Sequence, residues 1–227
     1  MITIRNLHKS YMVGGKRVEV LKGIDLSIEE GAMVAIMGRS GSGKSTLLNI
    51  IAGLDKGDNG EYLYRGQNLS NKTLNELANF RRDKIGFILQ NYALCDTKNV
   101  FDNIALPLKY RKYPESKIQA QVKGVLEDLE MTEVVDKSID TLSGGEMQRI
   151  AIARAIVQDP EIILADEPTG SLDEKTEEGI LAIFKQLNKQ GKTIIIVTHD
   201  QQVANICDET IYIKDGRSST PKITSSC

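Results

Sequence analysis

Four short aliphatic runs constrain this chain most. They are Met33-Val34-Ala35-Ile36-Met37, Ile85-Gly86-Phe87-Ile88-Leu89, Ile162-Ile163-Leu164-Ala165 and Thr193-Ile194-Ile195-Ile196-Val197-Thr198. Each is nearly free of polar residues and rich in β-branched ones. A strand with one face in water alternates polar and apolar residues. A strand that is apolar throughout needs cover on both faces, as central strands of a parallel sheet have. Helical stretches separate the runs, so the predicted class is α/β. Each run leads into a glycine, an amide, an acid or a histidine: Gly38, Gln90, Asp166-Glu167 and His199. Ligands of open α/β sheets bind at the carboxyl ends of the strands, so these four ends predict one crevice.

The N-terminal third reads differently. Residues 2–5, 18–28 and 61–64 alternate or run short between glycines, which predicts antiparallel strands packed beside the main sheet. Residues 100–142 are predicted to be mostly helical, with Ile118, Val122, Val125 and Leu126 at helical spacing between Glu115 and Asp128. The Ser-, Thr- and Lys-rich stretch 217–227 is expected to be a disordered tail. Among 227 residues, 29 Lys and Arg stand against 31 Asp and Glu, a net charge of −2. That balance gives no electrostatic footprint for nucleic acid. No apolar run approaches the ~20 residues of a membrane-spanning helix, and no secretory signal is visible at the N-terminus. Three widely spaced cysteines, Cys95, Cys207 and Cys227, suit a reducing compartment better than a disulfide framework. The expectation is a cytosolic chain whose action at any membrane goes through a partner.

Residues 38–45 read Gly38-Arg39-Ser40-Gly41-Ser42-Gly43-Lys44-Ser45. This is G-x-x-x-x-G-K-S, the Walker A pattern, in its required place between a predicted strand and a predicted helix. Glycines let successive backbone N–H groups curl around phosphate oxygens, and the helix from Lys44 aims its positive end at the same anion. Lys44 is expected to reach the β- and γ-phosphates, Ser45 to ligate Mg²⁺, and Thr46 to add a phosphate contact.

A carboxylate closing an apolar strand can hold that metal ion, which suits Asp166. Glu167 can accept a proton from an attacking water. Residues 142–149, Leu142-Ser143-Gly144-Gly145-Glu146-Met147-Gln148-Arg149, hold a capping box, Ser143-x-x-Glu146, that opens a helix running to about Val157. Two glycines in a first turn are costly for capping alone. They make sense if bare backbone of Gly144 and Gly145 approaches a ligand, so this helix start reads as a second anion site. Two phosphate-binding helix starts with one Walker A suggest an isologous homodimer in which each nucleotide is gripped by the loop of one subunit and Ser143 of the other.

The string Leu142-Ser143-Gly144-Gly145-Glu146, set between Walker A and Walker B, resembles the signature of the ATP-binding-cassette (ABC) ATPases over about residues 1–216. The resemblance implies a P-loop NTPase fold: a RecA-like core, an antiparallel β subdomain and a helical subdomain over about 91–155. It implies that Tyr11 stacks on adenine and that Gln90 touches Mg²⁺ or water near the membrane-subunit groove. Ser171-Leu172-Asp173 matches the loop that crosses the dimer interface, and His199 matches the histidine near the γ-phosphate. It implies Mg²⁺-dependent ATP hydrolysis in a nucleotide-sandwich homodimer that drives an integral-membrane permease, peripheral to the inner face of the cell membrane. Ala165–Asp173 and Ala105-Leu106-Pro107-Leu108 look like the bacterial group serving lipoprotein release, macrolide export and antimicrobial-peptide resistance. The alternative is a non-transport mechanical ATPase of the cell-division type.

Overall fold

The computed structural model describes residues 1–219. Two long strands, β1 (Ile2–Val13) and β2 (Lys16–Ile28), form an antiparallel pair, and β4 (Asn59–Tyr64) and β5 (Gln67–Asn68) extend it into a four-stranded sheet of order β2-β1-β4-β5. The four aliphatic runs form β3 (Met33–Met37), β6 (Ile85–Ile88), β7 (Ile162–Asp166) and β8 (Thr193–Thr198). With β9 (Glu209–Lys214) and β10 (Arg217–Ser219) they make a second sheet of order β10-β9-β3-β8-β7-β6. All neighbours there are parallel except β9 and β10.

Unbroken apolarity has the cause expected of it. Along β8, Ile194 and Ile196 point into one core and Ile195 and Val197 into another, and all four are fully buried. Along β7, Ile163 and Ala165 share the first core, Ile162 and Leu164 the second. Helix α1 (Lys44–Ile51) and the antiparallel sheet close the second core. Helices α3 (Val100–Tyr110), α4 (Glu115–Asp128), α5 (Gly144–Ile156) and α6 (Glu174–Lys189) close the first, around a fully buried Phe184. Two further helices, α2 (Leu74–Lys84) and α7 (Gln201–Asn205), fill the connections into β6 and β9.

Register sets the site. Met37 pairs with Thr198, Val197 with Asp166, and Ala165 with Ile88. The strands therefore end level, and the residues that follow them, Gly38, His199, Glu167 and the Leu89–Gln90 pair, meet along one carboxyl edge.

The start of the expected tail needs correcting. Arg217–Ser219 is a strand, paired with Tyr212–Lys214. Asp215 and Gly216 form the connecting turn with φ of 50° and 78°, the doubly left-handed geometry in which an Asp-Gly pair favours a tight hairpin. The Ser218 hydroxyl bridges to β2, accepting from the Asp25 N–H at 3.1 Å and donating to the Asp25 carbonyl at 2.8 Å. A polar sequence suffices here because the strand is an edge held by backbone and hydroxyl bonds. The rest of that stretch, 220–227, lies outside the described residues.

Candidate functional site

The loop after β3 reverses into α1 at Gly43, whose φ of 104° excludes side chains and whose Cβ would stand 2.8 Å from Leu21. Lys44, buried at the helix start, donates through Nζ to the carbonyls of Gly38 (2.8 Å) and Arg39 (3.2 Å). Its ammonium therefore sits inside the loop curve, placed to neutralise an anion that the loop amides could hold.

An open cleft of about 800 Å³ lies over this loop. Arg39, Ser40, Gly41, Gly43, Lys44, Ser45 and Thr46 form its floor, and Gln90, Asp166, Glu167 and His199 line one side. Tyr11 and Val20 line it from the antiparallel sheet. Gly38 and Ser42 face the other side of the loop, toward Ile213 of β9.

Asp166 closes β7 beside Ser45. Burial raises its carboxyl above the usual range and the charge of Glu167 adds to this, while Ser45 and Lys44 pull it down. A carboxylate and a hydroxyl, hard oxygen donors beside a phosphate cradle, fit Mg²⁺. A partly desolvated acid between a lysine and a neighbouring acid is suited to a cation that restores the balance. Glu167 takes φ 48°, a left-handed turn that is uncommon for a non-glycine residue. Its N–H donates to the Val197 carbonyl at 2.8 Å. Its carboxylate lies 2.9 and 3.0 Å from His199 Nδ1 and accepts from the Thr198 hydroxyl at 3.4 Å. That side chain is 13% exposed while His199 is 72% exposed. The base candidate is thus sheltered and the histidine reaches into the cleft.

Tyr11 is braced from behind. Its hydroxyl donates to Asp55 at 2.7 Å, and Lys9 Nζ stands 4.9 Å from its ring centroid. Lys9 also donates to Asp55 and to the Lys56 carbonyl, both at 2.7 Å. Burial would raise the Asp55 carboxyl, but the hydrogen bonds from Lys9 and Tyr11 outweigh it and hold it below the usual range. Sequence reasoning missed this bracing pair. Lys9 and Asp55 lie 46 residues apart, beyond any local pattern.

The other predicted group lies off this cleft. Ser143 caps α5: its hydroxyl accepts from the Glu146 N–H (3.3 Å) and donates to the Glu146 carboxylate (2.8 Å), which also accepts from the Ser143 N–H (2.8 Å). Asp173 caps α6, accepting from the Thr176 N–H (3.1 Å) and hydroxyl (2.6 Å). Gly145 has a reason within the chain for lacking a side chain, since a Cβ there would overlap the Thr176 methyl group. Gly144 is only half-buried beside the Tyr92 hydroxyl. The N-terminus of α5 is exposed at Ser143 and is not paired with the chain's own Walker A loop.

These features define a P-loop nucleotide hydrolase with a second, detached helix start. Residues 21–170 match the family model described as ABC transporter, and the chain belongs to that family. It is 45% identical over 216 residues to the bacitracin export ATP-binding protein BceA of Halalkalibacterium halodurans, covering 95% of this chain and 85% of that one. It is 44% identical to the macrolide export ATP-binding/permease protein MacB of Bdellovibrio bacteriovorus, covering 95% of this chain but 33% of that longer protein. The solved dimeric structure of MJ0796, described as a bacterial ABC transporter cassette, superposes with a TM-score of 0.89 at 41% identity over 98% of this chain and 99% of that one. A second MJ0796 dimer, at 40% identity and the same TM-score and coverage, is a post-hydrolysis state bound to ADP and Pi. The chain is an ATP-binding ATPase of the ABC transporter family with the P-loop fold. No helix among the described residues is long and apolar enough to cross a membrane.

Proposed function

We propose that this chain is the Mg²⁺-dependent ATPase subunit of an exporter, peripheral to the cytoplasmic face of the membrane through a separate permease and working as an ATP-sandwich homodimer. The carrying observation is the convergence of the phosphate loop, Asp166, Glu167, Gln90, His199 and Tyr11 on one cleft, with Ser143 displayed elsewhere for a second copy. Lys44 and the loop amides of 39–46 neutralise phosphate charge, and Tyr11 supports the base. Ser45, Asp166 and Gln90 would hold Mg²⁺, which, when bound, neutralises charge developing on the phosphate oxygens. Glu167 accepts the proton of the attacking water, and His199 and Gln90 orient water and terminal phosphate. Ser143, Gly144 and Gly145 of each copy, flanked by Asp173, complete the partner's site. The names of the bacitracin and macrolide relatives favour export of antimicrobial compounds over the cell-division alternative.

General-base catalysis is worth roughly 10²–10⁴-fold, so Glu167→Gln is expected to slow steady-state turnover by about that factor with ATP affinity retained. Wild-type turnover in that variant would remove Glu167 from the role.

A further inference from the structure

The segment from Gln90 to Asn99 joins β6 to α3, and its fastening is lopsided. Asn103, fully buried on α3, donates to the carbonyls of Cys95, Lys98 and Asn99 at 3.0–3.2 Å and accepts from the Cys95 N–H at 2.7 Å. Arg154 on α5 donates to the carbonyls of Tyr92 (2.7 Å) and Ala93 (2.5 Å). Both anchors belong to the helical side of the molecule, so the segment is fastened to α3 and α5. Toward the stretch 167–173 it makes one side-chain hydrogen bond among the described residues, between the Tyr92 hydroxyl and Ser171 Oγ at 3.0 Å. Tyr92 and Ala93 both lie in the left-handed region, with φ of 57° and 50°. Non-glycine residues keep that conformation only where the surroundings impose it. The same hydroxyl would stand 3.3 Å from a Cβ on Gly144. Three segments therefore meet at one phenol oxygen: the loop after Gln90, the start of α5 and the loop after Glu167.

We propose that Tyr92 is a positioning residue. Its hydroxyl latches the Gln90 loop, and with it the helical elements, to the turn that carries Glu167. The proposal rests on the ATPase reading of the cleft, since its effect on rate acts through Gln90 and Glu167. Without the latch those two side chains are no longer fixed in one geometry. Within one chain, nucleotide binding rests on Tyr11 and residues 39–46, which the Tyr92–Ser171 bond does not touch.

The test uses Tyr92→Phe, Ser171→Ala and the double variant in the full chain. One net hydrogen bond corresponds to roughly a five-fold change, so each single variant is expected to lower kcat by about that factor while KM for ATP stays unchanged. The double variant is expected to be no slower than either single one, because all three lose the same bond. Amide hydrogen exchange over 169–173 is expected to speed up in nucleotide-free Tyr92→Phe. Wild-type kcat in a single variant, multiplying effects in the double, or unchanged exchange would each overturn the latch. Should Tyr92→Phe lose cooperative melting, Ser171→Ala carries the same test with the ring in place. A wild-type chain without ATPase activity would strike the ATPase reading instead, and exchange would still decide the latch.

Discussion

Tyr11 shows how one side chain is prepared before any ligand arrives. Asp55 holds its hydroxyl and Lys9 stands over its ring, so a base stacking there, as proposed, would need little further ordering of the side chain. Base–aromatic stacking is worth about 1–3 kcal/mol. Tyr11→Ala is therefore expected to weaken ATP binding by roughly five- to 150-fold, read by calorimetry, while Tyr11→Phe, which keeps the ring, stays near wild type. Equal losses in both would assign the affinity to the hydroxyl rather than the ring. The local motif Gly38–Ser45 was legible because its chemistry is contiguous in sequence. The bracing by Lys9 and Asp55, the Asn103 clamp and the Tyr92 contact were not, because each joins residues brought together only by the fold.

At the scale of elements, α5 and α6 touch where Gly145 meets Thr176, and the Thr176 rotamer is fixed by Asp173. Gly145→Ala is expected to destabilise the chain by about 1–3 kcal/mol through overpacking. Thr176→Ser removes the offending methyl while keeping the cap, and is expected to recover most of that loss in chemical denaturation; no recovery would place the strain elsewhere. The glycine pair was thus legible as a demand for bare backbone, but part of that demand comes from the chain itself. Helix α2 was not legible from periodicity, since Leu77 is its one buried residue. What specifies it is a capping box in which the Thr73 hydroxyl and Glu76 exchange bonds. Backbone and side-chain bonds from Thr73, with Lys72, push the Glu76 carboxyl down to about 2 from 4.5. The sign follows: a depressed folded-state pKa contributes stability that is present above pH 4.5 and lost as pH falls toward 2. Thermal melts across that window are expected to fall more steeply for the wild type than for Glu76→Gln; parallel curves would reject the assignment. Strand β9 alternates (Ile211 and Ile213 buried, Tyr212 and Lys214 exposed) and so lacks the unbroken apolarity by which the four other parallel strands, β3, β6, β7 and β8, were read.

For the whole molecule, a Walker A cleft and an exposed Ser143 that do not meet within one chain fit the proposed pairing of two copies. Glu167→Gln with ATP and Mg²⁺ is expected to sediment at twice the monomer mass, and the same variant carrying Ser143→Arg, which blocks the exposed helix start, is expected to remain single. Persistence of the larger species would place the contact surface elsewhere.

The central sheet has a last consequence. Ile195 and Ile196 are chain neighbours, yet one belongs to the compartment shared with the tyrosine-bearing sheet and the other to that of the serine-capped helix. Shaving a methyl group from either should cost about 0.5–1.5 kcal/mol of stability, drawn from the first compartment in one case and from the second in the other, so adjacent positions of one strand load opposite sides of the same wall.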